Sequence, residues 1–259
     1  MKLLDGKVAL ITGASQGCGE VSAKLFVEEG AKVAICDIND ENGERVAKEI
    51  NEKYPNQAVF IHLDVSERND WEKAVNTVLE IFSELHIVIN NAGISFRETV
   101  VDTNDEIWDK TVNINQKGVA LGMQYGIKAI AESGKEGAIV STASVDGHTG
   151  DSIFFTYCAT KAAVEAMTRC AALYCCENHI KCRVNAVGPG YMYTPMAEED
   201  ARQNNQTLEE YCADSIALHP IGRLANPIEI ANAYLWLASD KASFVTGTTL
   251  MVDGGYTAQ

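Results

Sequence analysis

Two residues four positions apart, Tyr157 and Lys161, carry the most suggestive chemistry in this chain. On a helix they project from one face, so the lysine lies beside the phenol. A tyrosine's ordinary pKa of about 10 is too high for an efficient base near neutrality. A neighbouring positive charge favours tyrosinate and lowers that value. The pair therefore suits proton transfer at an oxygen. Taken alone, it also suits a plain amphipathic helix surface, with Cys158 beside it as packing filler.

A second candidate lies near the N-terminus, in Thr12-Gly13-Ala14-Ser15-Gln16-Gly17-Cys18-Gly19. Glycines let a backbone turn sharply and approach a pyrophosphate, and a following helix presents free N–H groups and the positive end of its dipole. Many structural turns are equally rich in glycine. Position between a first strand and a first helix is what gives this one weight.

Such groups need a framework, and the chain alternates along its whole length. Short apolar runs recur at Val8–Ile11, Val33–Cys36, Val59–Ile61, Ile87–Ile89, Ala138–Val140, Val184–Val187 and Thr249–Val252. Continuous apolar runs read as strands buried on both faces. Between them lie helical spacings such as Trp71, Val75, Val78, Leu79 and Phe82. Gly30 and Gly43 mark helix edges or turns, and Pro55 ends a segment. The expected architecture is α/β: one domain over 1–259, with about seven parallel strands doubly wound between helices. A polar insertion at about 195–220 breaks the rhythm after the sixth strand. It is expected to overhang the carboxyl ends of the strands as a substrate lid.

Composition bounds the partners. With 36 acidic against 21 basic residues the formal charge is −15, which repels phosphate backbones and anionic lipid. No nucleic-acid or membrane partner is expected. No apolar run approaches the roughly 18 residues needed to span a bilayer, and no signal peptide is read at Met1–Gly6. The expected location is cytoplasmic. The eight cysteines (18, 36, 158, 170, 175, 176, 182 and 212) form no CxxC pair and read as reduced core residues rather than metal ligands.

Together with Asn90-Asn91-Ala92-Gly93, Tyr157-Cys-Ala-Thr-Lys161 and Pro189-Gly190 followed by Thr194, the TGxxxGxG turn resembles the short-chain dehydrogenase/reductase family. The likeness runs over the full length, in family order and spacing, and is strongest to bacterial hydroxysteroid and cyclic-alcohol dehydrogenases. It implies a Rossmann fold and hydride transfer between a nicotinamide cofactor and a secondary alcohol or ketone. It implies Tyr157 as acid/base, aided by the charge of oxidised nicotinamide, and Lys161 as the holder of the nicotinamide-ribose hydroxyls. Ser144, in the family's Ser-x12-Tyr spacing, would stabilise charge on the substrate oxygen, with Ser141 as its competitor. Asn115, rather than Asn113, would bend a helix and hold a water of a proton relay.

The same likeness assigns cofactor binding to Gly13, Ser15, Gln16, Gly17, Cys18 and Gly19, to Asp37 and Ile38, and to Asp64 and Val65. It adds Asn91, Ala92 and Gly93, then Tyr157 and Lys161, and finally Pro189, Gly190 and Thr194. Asp37, ending the second strand, can accept hydrogen bonds from both adenine-ribose hydroxyls and repel a 2′-phosphate, and no Arg or Lys occupies 14–18. NAD is therefore expected over NADP. The alternatives are a turn cap for Asp37 and a helix N-cap for Asp64 or Ser66. Cys18 departs from the usual Ile or Leu, and a thiol at a helix N-terminus can have a lowered pKa.

The substrate is expected to be a small-molecule alcohol or ketone, with a bulky apolar hydroxysteroid or cyclic alcohol first. Tyr191, Met192, Tyr193 and Met196 would supply apolar contact. Asp146, His148 and Asp151 either line a polar pocket for a sugar or polyol or stand exposed in a loop. An acyl-carrier-protein ketoreductase and a catalytically silent cofactor-binding scaffold are the other readings. Family likeness also implies a homotetramer, built on surplus apolar residues Val119, Leu121, Met123, Tyr125 and Ile127 of one helix and Ala162, Ala163, Val164, Met167 and Leu173 of another.

Overall fold

All five residues of strand β1 (Val8–Thr12) are buried, because helices cover both faces of the sheet to which it belongs. Successive residues serve different layers. Val8 and Leu10 pack into one core, and Ala9 and Ile11 into the other. The computed structural model, which describes residues 2–259, arranges the chain as α1 (Gly17–Glu28), β2 (Lys32–Asp37), α2 (Asp40–Lys53), β3 (Ala58–His62), α3 (Arg68–Phe82) and β4 (Ile87–Asn90). Then follow α4 (Asp105–Thr111), α5 (Gly118–Ser133), β5 (Gly137–Thr142), α6 (Val145–Thr149), α7 (Phe155–Glu177) and β6 (Cys182–Pro189). The chain closes with α8 (Pro195–Gln203), α9 (Leu208–Ala217), α10 (Pro227–Ala238) and β7 (Thr249–Val252).

The seven strands form one all-parallel sheet in the order β3-β2-β1-β4-β5-β6-β7. Leu10 of β1 pairs with Ala34 on one side and Val88 on the other. The order reverses between β1 and β4, and the crevice at their carboxyl ends is where open α/β sheets take ligands. The expected seven-stranded doubly wound sheet is the one observed.

Local differences have local reasons. Gly43 sits in the first turn of α2, where any Cβ would lie 2.2 Å from the Phe60 ring, so it is a packing glycine. Helix α3 begins at Arg68 with Glu67 as its N-cap, so neither Asp64 nor Ser66 caps it. Asp64 instead accepts the Ser66 N–H and hydroxyl in a tight turn. Val119, Leu121, Met123 and Ile127 of α5 and Val164 of α7 are spent inside the chain's own core, contrary to the expectation that they are surplus. Of the cysteines, Cys170 and Cys176 are exposed rather than core residues.

Candidate active site

One cavity of about 720 Å³ opens along the carboxyl edge of the sheet. Every candidate catalytic and cofactor-binding residue read from the sequence lines it except Gly19 and Asn115. Gly19 stands behind the wall: a Cβ there would fall 2.1 Å from the Gly13 carbonyl oxygen, so its role is close packing of α1 against the turn.

At one end, Gly13 and Gly17 take φ of +63° and +56°, backbone that favours glycine. Asn91 fixes this turn by donating to the Thr12 and Gly13 carbonyls, at 3.0 and 3.1 Å. The α1 N-terminus has no side-chain cap, which leaves its N–H groups for a ligand. Such an edge fits a dinucleotide's pyrophosphate.

Asp37 accepts the Ser15 N–H at 3.1 Å and the Asn39 N–H at 3.0 Å, so the capping reading is true of it, and it lines the cavity as well. Sequence reading missed a cation here. Arg45 comes from the middle of α2 to donate to the Ser15 carbonyl at 3.2 Å, while Glu20 and Glu49 engage its guanidinium at 3.0 and 2.8 Å. Cys18 is the opposite of an activated thiol. Packed near Ser22 and the Pro227 carbonyl, it is pushed up to about 12 by burial, which overrides the helix dipole.

At the other end stand Ser144, Tyr157 and Lys161. Ser144 follows β5 and caps α6, its hydroxyl accepting the Asp146 N–H at 3.2 Å. Ser141 is committed elsewhere, accepting from the Asn90 amide inside the sheet. Helix α7 places Lys161 under Tyr157, with Nζ 5.4 Å from the ring centre and 2.8 Å from the Thr142 carbonyl. The expected lowering of the tyrosine pKa is not what these groups produce together. Burial raises the phenol well above its ordinary range and the Asp146 charge adds to that, with a hydrogen bond from Ser144 opposing. Lys161 is itself pushed down to about 8 by burial. Two buried groups each resist charge, and the lysine's field alone does not overcome that.

Asn115 is fully buried behind this group, whereas Asn113 is exposed. It lies in a π-helical turn, Val112–Lys117, between α4 and α5, so the local helix distortion expected at Asn115 is present. Its side chain pairs twice with Ile94, accepting the N–H at 2.9 Å and donating to the carbonyl at 2.8 Å. A Cβ on Gly93 would lie 3.3 Å from Asn115 Oδ1 and 3.5 Å from Lys161 Nζ, so that glycine keeps the two groups clear of each other's space.

Helices α8 and α9 occupy the stretch after β6 and contribute Met196, Asp200, Gln203 and Tyr211 to the cavity lining. Thr194 caps α8, and Thr207 and Glu210 form a capping box on α9. Asp200, buried, accepts from the Ser95 hydroxyl at 2.5 Å, and Gln203 accepts the Arg97 N–H at 2.7 Å. These bonds tie α8 to the loop after β4 across the cavity. Tyr191, Met192 and Met196 line the cavity, but Tyr193 is largely exposed and does not. The three polar residues after Ser144 divide: Asp146 is buried in the wall, His148 is exposed, and Asp151 receives the Tyr191 hydroxyl at 3.4 Å.

Comparison with known proteins agrees with this geometry. The model of the family described as "Enoyl-(Acyl carrier protein) reductase" matches residues 13–257. The chain is 38% identical to the NADP-dependent (R)-specific alcohol dehydrogenase of Lentilactobacillus kefiri, over 99% of this chain and 98% of that protein. It is 36% identical to a 3-alpha-(or 20-beta)-hydroxysteroid dehydrogenase of Mycobacterium tuberculosis, over 98% and 91%. The structure of 3-ketoacyl-(acyl-carrier-protein) reductase from Brucella melitensis, complexed with NADH, superposes with a TM-score of 0.88 at 34% identity, covering 98% of this chain and 99% of that one.

Proposed function

This chain belongs to the short-chain dehydrogenase/reductase family of nicotinamide-dependent oxidoreductases, and on that footing we propose that it interconverts a secondary alcohol and a ketone with NAD. The observation carrying the reading is that Ser144, Tyr157 and Lys161 meet at one end of a cavity whose other end is Asp37.

The cofactor, when bound, exchanges a hydride with the substrate carbon. In alcohol oxidation Ser144 holds the reacting oxygen and Tyr157, as phenolate, takes its proton. In ketone reduction Tyr157 returns that proton while Ser144 donates to the oxygen as negative charge grows. Lys161, anchored on the Thr142 carbonyl, keeps hydrogens in hand for ribose hydroxyls. Asn115 holds the loop at Ile94 and the distorted turn beside the lysine. The uncapped turn Gly13–Gly17 would cradle pyrophosphate, and Asp64, Val65 and Ile38 would flank the adenine. Asn91, Ala92 and Gly93 would back the cofactor, with Pro189, Gly190 and Thr194 at its nicotinamide end.

Two features support NAD. Asp37 supplies acceptors for ribose hydroxyls, and the nearby Arg45 is already neutralised by Glu20 and Glu49. The substrate reading is a bulky, largely apolar cyclic alcohol or ketone, a hydroxysteroid first. Ile94, Phe96, Phe154, Met192 and Met196 give the cavity its apolar walls. Buried Asp146 favours the second reading, a polyhydroxylated substrate.

The whole chain is taken as one domain, with 195–220 as its lid, acting in the cytoplasm. No helix of the described residues is long and apolar enough to cross a membrane. A homotetramer pairing α5 and α7 would now rest on Tyr125, Ala162, Ala163, Met167 and Leu173. Following NADH absorbance with a panel of secondary alcohols, a sugar alcohol and a 3-oxoacyl thioester tests the function. Turnover of none would return the chain to a silent scaffold, and preference for the thioester would make it a carrier-protein reductase.

A further inference from the structure

The cavity wall contains a carboxyl group that the reaction outlined above does not use. Asp146 is 6% exposed, and its Oδ1 has no hydrogen-bond partner. Its hydroxyl neighbours are Ser144, at the long distance of 3.5 Å from Oδ2, and Tyr191, whose hydroxyl also donates to Asp151 at 3.4 Å. A buried carboxyl with unused acceptor capacity is costly unless a donor completes it. Lys161 feels the Asp146 charge but makes its hydrogen bond to the Thr142 carbonyl and none to this carboxyl. The neighbouring acids add repulsion: Asp151, and more distantly Asp200 across the cavity. An anionic substrate group is therefore excluded, and a hydrogen-bond donor fits.

Position narrows the class. Ser144 is the residue assigned to the substrate's reacting oxygen. A group held by Asp146, next to Ser144 Oγ, therefore sits on a carbon adjoining the one that exchanges hydride. We infer that Asp146 anchors a hydroxyl next to the reacting carbon, so that the substrates are vicinal diols and α-hydroxy ketones. This rests on the placement of the reacting oxygen at Ser144 and Tyr157. Burial pushes Asp146 up to about 7, so near neutrality it exists in both forms and suits a neutral hydroxyl better than a cation. The apolar walls then receive the remainder of a bulky ring system, and the polar demand is confined to its reacting edge.

Matched ring compounds test the inference. With NAD, kcat/KM is compared for cyclohexanol, 1,2-cyclohexanediol and 2-aminocyclohexanol, and with NADH for cyclohexanone and 2-hydroxycyclohexanone. The wild type should favour each hydroxylated member over its parent by about tenfold or more, as expected for a hydrogen bond to a buried acid. In Asp146→Ala that ratio should fall to near one, with Asp146→Asn as the closer isostere and NADH fluorescence confirming a folded cofactor site in both. A wild-type ratio below about two, or an undiminished ratio in Asp146→Ala, overturns the anchor while leaving the dehydrogenase reading intact. Preference for the amine would overturn the hydroxyl assignment. If both variants fail to bind NADH, the wild-type ratio alone decides. Turnover of none of the five compounds, nor of any alcohol in the broader panel, would instead remove the dehydrogenase reading on which the anchor depends.

Discussion

Lys161 Nζ lies 5.4 Å from the centre of the Tyr157 ring while it donates a 2.8 Å hydrogen bond to the Thr142 carbonyl. The lysine is held by backbone on one side and faces the phenol on the other. Its pKa is pushed down to about 8 by burial, and the phenol's is pushed up by burial and by Asp146. The phenol is therefore not an effective base at neutrality by itself, while Lys161 stays mostly charged there. The positive charge of an oxidised nicotinamide, when bound, would favour tyrosinate, which ties proton transfer to a loaded site.

Two buried carboxyls make stability pH-dependent. Burial raises Asp146 to about 7 and Asp200 to about 6, against an ordinary value of about 4. Between those limits the folded chain keeps protons that the unfolded chain has released. Their contribution to stability is full below about pH 4 and is lost as pH rises through 6 and 7, by an amount on the order of a few kcal/mol. Denaturation midpoints from pH 4.5 to 7.5 should show this slope, and Asp146→Asn should flatten it. An unchanged slope in the variant would assign it elsewhere.

Cofactor choice should follow Asp37. NAD should exceed NADP in kcat/KM by at least about tenfold, since a 2′-phosphate would lose the ribose hydrogen bonds and meet a carboxylate. Asp37→Ser combined with Ile38→Arg should bring the two cofactors within a few-fold, because Ile38 is exposed beside the same edge. Equal efficiency in the unmodified protein would remove the role given to Asp37 and point to Arg45.

The overhang should behave as a latched lid. Ser95→Ala deletes the 2.5 Å hydrogen bond to Asp200 without touching Ser144 or Tyr157. KM for the alcohol should rise by about fivefold or more while kcat changes less, since the bond stabilises closure rather than the chemical step. Steady-state kinetics separate the two. A fall in kcat alone would mean that this bond positions the reacting groups directly.

The framework was legible because its signals are local. Seven continuous apolar runs, a glycine turn after the first and a Tyr-x-x-x-Lys pair on one helical face need no knowledge of distant partners. What escaped was set by distance along the chain. Arg45 reaches Ser15 only because α2 returns alongside the turn, and Asp200 meets Ser95 across 105 positions. Burial was the other blind spot. The helical spacing of Val119, Leu121, Met123 and Ile127 is the same whether a second subunit or the chain's own α3 and sheet cover them, and here the chain covers them. At Cys18 and Tyr157 a helix dipole or a lysine can be read from spacing, whereas the desolvation that opposes them cannot.

The most direct test removes one oxygen. Tyr157→Phe keeps the ring, its packing on Phe154 and its place over Lys161, and deletes the group assigned to move the proton. The rate of NADH formation from a turned-over secondary alcohol should fall by about a hundredfold or more, while fluorescence titration shows NADH bound much as in the wild type. Retention of more than about a tenth of the wild-type rate would contradict the assignment of Tyr157 as acid/base.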